Sequence, residues 1–172
     1  MTITAVAASA APTGKMGPLN ASPPGHRVAP DAPFLVQGKQ VYLQSYKGHK
    51  LMVWQVTTWC PSCRAGLQVM AENKALIDKS DLRVLVLEDY KNGGYAGDSM
   101  ETFVRKSAPA LLNDPHFIIG EDTETLFRLY NPHHYIDVYQ LITANGHIAV
   151  VSSAPSASFD KIKNFVTSAA SP

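Results

Sequence analysis

Residues 51–72, LMVWQVTTWCPSCRAGLQVMAE, set a nearly unbroken apolar run directly against a pair of cysteines and then against a helical pattern. The run from Leu51 to Thr57 suits a central strand covered on both faces. Pro61 fits the first position of a helix, where its missing N–H would be unpaired anyway. Leu67, Met70, Ala71, Ala75 and Ile77 continue along one face as far as Ser80. Cys60 and Cys63 are the only cysteines of the chain, and they open that helix. A fold for this chain has to place two thiols, one helical turn apart, at the carboxyl end of a buried strand.

Strand and helix signals alternate on both sides of this segment. KQVYLQSY (39–46) precedes it across the turn KGHK, LRVLVLED (82–89) reads as the next buried strand, and SMETFVRKS (99–107) as a helix. HFIIG (116–120) is a short strand and TETLFRLY (123–130) a short helix. DVYQLIT and HIAVV flank Asn145-Gly146, a step suited to a tight hairpin. SASFDKIKNFVTSAA closes the chain as an amphipathic helix with Phe159, Ile162, Phe165 and Val166 inward. The alternation implies parallel pairing followed by one antiparallel hairpin. This is an α/β pattern, a mixed central β-sheet flanked by α-helices on both faces.

The chain has 172 residues, 45% of them apolar, enough for one substantial core and hardly two. The domain is expected over 32–172. Residues 1–31 read as a flexible Pro/Ala-rich leader, with an Ala-Ser-Ala triplet like a processing site but no basic leading region, a signal or anchor remnant. No apolar run is long enough to span a bilayer. The 15 basic and 14 acidic residues are scattered, which argues against nucleic acid as a partner. YKNGGYAGD (90–98) has glycines but no phosphate-loop ending, so it is expected to be a flexible loop.

Chemistry follows from the position of the thiols. The first N–H groups of a helix and its macrodipole favour a negative charge at its start, so Cys60 is expected to be a thiolate nucleophile. Cys63, one turn further in, is placed to displace a captured partner and close an internal Cys60–Cys63 bond. A static disulfide is a weaker reading, because so small a ring removes little entropy from the unfolded chain. Half of a structural zinc site is a stronger rival, but no second cysteine pair completes it.

Strand, TTWCPSC, helix resembles the active site of the thioredoxin superfamily, where Trp-Cys-x-x-Cys recurs. The resemblance extends through APFLVQGKQVYLQSYKGHKLMVWQVTTWCPSC to the TlpA-like and redoxin branch, and LITANGHIAVV matches its late hairpin. It implies a thiol-disulfide oxidoreductase whose partners are protein thiols and disulfides and which needs no cofactor beyond its dithiol. It implies an extracytoplasmic location, in a prokaryotic periplasm or cell envelope, and a chain acting as a monomer. Trp59, Pro61 and Ser62 would then shape the partner surface.

Two positions depart from the family. Trp54 stands six residues before Cys60, where many thioredoxins carry a buried carboxylate. Asp137 or Val138 stands where a cis-proline normally faces the dithiol, and Pro132 is too far upstream to replace it. Asp137, if it faces the sulfurs, is expected to disfavour the Cys60 thiolate or relay the Cys63 proton. His133 and His134 precede that loop. They are read either as solvated residues or, with Cys60 and Cys63, as ligands of copper, zinc or an iron–sulfur unit in a metal carrier. A lesser reading takes Thr57-x-x-Cys60 as a peroxiredoxin-like peroxidase element, although Val53 replaces the proline expected before it.

Overall fold

The computed structural model describes residues 27–168. The signal-like stretch read at the start of the leader and residues 169–170, which the sequence pattern assigns to the closing helix, lie outside the described residues. Among the described residues one sheet of eight strands runs in the order Arg27–Val28 (β1), His147–Ser153 (β8), Val138–Ile142 (β7), Lys50–Val56 (β4), Leu82–Glu88 (β5), Phe117–Asp122 (β6), Pro33–Val36 (β2) and Lys39–Tyr42 (β3). Its centre is β4 (Lys50–Val56), flanked by β5 (Leu82–Glu88) in parallel and β7 (Val138–Ile142) antiparallel. The β6 strand (Phe117–Asp122) continues the parallel pairing, and β8 (His147–Ser153) completes the hairpin with β7. Gly146, at φ +85°, turns that hairpin, and its N–H donates to the Thr143 carbonyl at 2.8 Å.

All seven residues of β4 are buried, which accounts for its continuous apolar run. Met52, Trp54 and Val56 face a core built with α1 (Pro61–Glu72), α3 (Met100–Ser107) and α5 (Pro155–Thr167) through Leu67, Phe103 and Ile162. Leu51 and Val53 join a second core on the other face with Leu85, Leu87 and Leu126 of α4 (Glu124–Tyr130). Helices therefore cover both faces, as the sequence pattern implies. Gly66 on α1 lets the helix lie on Trp54, since a Cβ there would sit 2.7 Å from the indole ring.

Three local differences from the sequence reading have physical causes. The helix expected to reach Ser80 breaks at Asn73, which leaves helical geometry and caps α1 by donating its side-chain amide to the Val69 carbonyl at 2.9 Å. A short α2 (Lys74–Asp78) follows. Residues 43–46 form a 3₁₀ turn instead of prolonging β3 (Lys39–Tyr42), so Leu43 can bury while its N–H reaches the Ala32 carbonyl. β2 (Pro33–Val36) and β1 (Arg27–Val28) are strands too short for a periodic signal. β1 lies within the expected leader and pairs with β8, and Ala29 N–H then donates to the Gly146 carbonyl at 2.8 Å.

The second core contains one polar pair. The Gln55 side-chain amide donates to Asp122 Oδ2 at 2.6 Å, while Gln55 Oε1 and Asp122 Oδ1 are buried without a partner. Burial pushes the Asp122 carboxyl up to about 8, the Gln55 amide pulls against this, and the Asp89 carboxylate adds to it. A proton on Asp122 would turn one of its two acceptor oxygens into a donor. Among the described residues, no helix is long and apolar enough to cross a membrane.

Candidate active site

β4 delivers Thr57, Thr58 and Trp59 to the start of α1, and Cys60 is the residue that caps this helix. Its φ of −84° and ψ of 121° are extended, and its sulfur accepts the Cys63 N–H at 3.3 Å. The Cys60 carbonyl accepts the Arg64 N–H at 3.2 Å. Pro61 occupies the first helical position, as its missing donor permits, and Ser62 Oγ lies 3.1 Å from Cys60 Sγ. Cys60 retains 4% exposure and Cys63 none, so Cys60 is the less enclosed of two buried cysteines.

Asp137 reaches these sulfurs from the residue before β7. Both sulfurs and a carboxylate oxygen of Asp137 lie within 4.8 Å of one another. The indole N–H of Trp54 donates to Asp137 Oδ1 at 2.8 Å, whereas Oδ2 is buried without a full hydrogen bond, with Ser62 and Cys63 beside the carboxyl. Burial pushes the Asp137 carboxyl above the usual carboxylate range, against the pull of Trp54, Ser62 and Cys63. Burial also pushes the Cys63 thiol up, and the Asp137 charge and the Cys60 side chain add to that shift. Asp137 has φ +62°, and no cis peptide bond occurs among the described residues. Val138, the other candidate for the facing position, is buried and pairs with Gln55 and Ser153 in the sheet.

The segment read as a flexible loop is packed against the site. Tyr90–Gly94 forms a 3₁₀ turn in which Lys91, Asn92 and Gly93 have φ of 56°, 52° and 64°. Asn92 tolerates that left-handed geometry and is buried there. Its Oδ1 accepts the Thr58 N–H at 2.9 Å, its Nδ2 donates to Thr58 Oγ1 at 3.0 Å, and its carbonyl accepts the Trp59 indole N–H at 2.8 Å. Gly97 sits so close that a Cβ would lie 2.1 Å from Thr58 Oγ1. Tyr95 packs edge-on against Trp59 with ring centres 5.1 Å apart, and Trp59 stays 39% exposed at the rim. The sequence signal for this contact was slight, a glycine-rich stretch that also fits a mobile loop.

The histidines do not join the sulfurs. His133 and His134 are exposed, their rings against Tyr135 at 5.6 Å and Phe127 at 4.8 Å. The donor cluster at the dithiol is Cys60, Cys63 and Asp137, with neither histidine in it. The expected ligand set is corrected accordingly: the loop turns its histidines outward and its aspartate inward. Thr57 is buried beneath the loop, and its hydroxyl has no hydrogen-bond partner.

No protein-family model matches the chain, and no curated protein is similar to it in sequence at a significant level. Solved structures are similar in shape. A thioredoxin-like protein from Aeropyrum pernix superposes with a TM-score of 0.63 at 16% identity, covering 81% of this chain and 89% of that one. The fold is thioredoxin-like. The thioredoxin domain of a thiol-disulfide oxidoreductase from Bacteroides vulgatus gives 0.57 at 14% identity, over 81% and 96% of the two chains. BsSco, a member of the Sco family of cytochrome c oxidase assembly proteins, gives 0.56 at 15% identity, over 83% and 95%. In this thioredoxin-like fold the dithiol follows the end of the central strand, and the buried acid beside it comes from the residue that precedes β7.

Proposed function

We propose that this protein exchanges its Cys60–Cys63 dithiol or disulfide with cysteines of partner proteins. The carrying observation is the helix start itself: Cys60, the less enclosed of the two cysteines, receives the Cys63 N–H on its sulfur at 3.3 Å, and Cys63 Sγ stands within 4.8 Å of it. In the reducing direction, the Cys60 thiolate attacks a partner disulfide, forms a mixed disulfide and releases one partner thiolate. Cys63 then passes its proton to the Asp137 carboxylate and attacks Cys60 Sγ. That step closes the Cys60–Cys63 bond and releases the second partner thiolate. The oxidising direction is the same sequence reversed.

Trp59, Pro61 and Ser62 form the rim and helix start that a partner meets, and Asp137 replaces the proline that would shape the facing edge. All reacting groups belong to one chain, so a monomer completes the cycle without a further cofactor. The extracytoplasmic, TlpA-like placement is supported by the resemblance around the dithiol. Peroxide reduction has less support, because a resolving thiol stands one turn from Cys60 and favours transfer between dithiols.

Reduced full-length protein mixed with a protein disulfide such as insulin tests the reading. Wild type is expected to reduce it, Cys60→Ser to be inactive, and Cys63→Ser to accumulate the mixed disulfide. Wild-type turnover no faster than Cys60→Ser would exclude exchange.

A further inference from the structure

The geometry points to a divalent-metal site in the reduced protein formed by Cys60 Sγ, Cys63 Sγ and Asp137 Oδ2, suited to Zn²⁺ with one coordination position open. Three donors from two facing elements converge within 4.8 Å, and all three residues are buried. A tetrahedral ion, with sulfur at about 2.3 Å and carboxylate oxygen at about 2.0–2.2 Å, keeps its donors within that spread. Asp137 Oδ2 carries the case beyond the thiols. It is a buried oxygen with no hydrogen-bond partner, on a carboxyl group that comes within 4.8 Å of both sulfurs, and such an atom calls for a cation or a proton.

The surroundings hold the ligands in place. Asp137 is anchored through its other oxygen by the Trp54 indole, the kind of outer contact that orients a ligating carboxylate. Cys60 Sγ receives the Cys63 N–H and lies 3.1 Å from Ser62 Oγ, so charge on the bound sulfur has donors. An oxygen among the donors disfavours Cu(I), which prefers sulfur alone, and suits the borderline Zn²⁺. On binding, each thiol gives up its proton to solvent, the ion gains two Zn–S bonds and one Zn–O bond, and no electron is transferred. Disulfide formation removes both sulfur ligands, so the site exists only in the dithiol state. The inference rests on the reduced thiols and Asp137 and does not depend on exchange with a protein partner.

Anaerobic titration of the reduced full-length protein with Co²⁺, followed by displacement with Zn²⁺, tests the site. One Co²⁺ per chain is expected, with sulfur-to-cobalt charge transfer and tetrahedral d–d bands, and oxidised protein should show neither. Asp137→Asn, which keeps an acceptor for Trp54, is expected to weaken binding by about tenfold or more. X-ray absorption on Zn-loaded wild type should find two sulfurs and an oxygen around one ion, and it needs no variant. Absence of the sulfur band in wild type, Asp137→Asn binding within about twofold of wild type, or a four-sulfur shell shared between chains would each overturn the inference. Insulin reduction measured with chelator present reports on exchange separately, so either reading can fail alone.

Discussion

The indole N–H of Trp54 donates to Asp137 Oδ1 across 2.8 Å, joining the central strand to the residue that precedes β7. The bond makes the two positions one arrangement: the buried indole N–H of Trp54 needs an acceptor, and the Asp137 carboxylate provides it.

Asp137→Asn should leave Cys60 attack intact and slow release of the captured partner, by roughly 100-fold if the carboxylate takes the Cys63 proton. Quenched-flow trapping of the mixed disulfide in chelator-treated protein reads that step directly. Equal decay in wild type and variant would remove Asp137 from the resolution step. Trp54→Phe leaves the carboxylate without its one full hydrogen bond and should cost about 1–3 kcal/mol by denaturant unfolding.

Gly66→Ala forces a Cβ to 2.7 Å from the Trp54 ring, in the contact that seats α1 on the sheet. A loss of about 1–3 kcal/mol is expected from overpacking, against the small gain that Gly→Ala brings in an unobstructed helix. Chemical denaturation decides the sign.

Stability should fall as pH rises. The Asp122 carboxyl is pushed from 3.8 to about 8 by burial, so between these values the folded state keeps a proton that the unfolded chain has released. Unfolding therefore becomes easier with rising pH across that window, by up to about 1.4 kcal/mol per pH unit. Asp89, pushed by burial to about 6, acts in the same direction over the lower part of the window. Asp122→Asn supplies a permanent N–H donor in the Gln55 pair and should flatten the profile and raise Tm at pH 8. A profile equally steep in the variant would show that Asp122 is not its source.

Asn92→Ala removes both hydrogen bonds to Thr58 and places alanine at φ +52°. About 2–4 kcal/mol should be lost, and the Trp59 fluorescence should shift as its partner carbonyl moves. An unchanged spectrum and stability would mean that the loop contributes little to the rim.

Long, strongly patterned elements were legible in the sequence. The apolar run of β4, the Pro61 helix start and the Asn145-Gly146 turn each carry a local cause, so the central strand, the late hairpin and the position of Cys60 and Cys63 follow from them. What escaped reading was made by contacts between distant segments. β1 and β2 are strands because β8 and β6 pair with them, not through any periodicity of their own. Asn92 looks like a loop residue until Thr58 is placed beside it. The inward turn of Asp137 and outward turn of His133 and His134 go with left-handed backbone steps at His134 and Asp137, which residue type alone does not announce.

The strand Arg27–Val28 and the Ala29 contact to Gly146 lie at the pole where β4 begins, and Cys60 lies beyond the pole where it ends. Seven extended residues separate these poles by roughly 20 Å. A bulky probe fixed at the Asn145-Gly146 turn, which shares that first pole, would thus sit at the far end of the molecule from Cys60 and leave the opposite end clear.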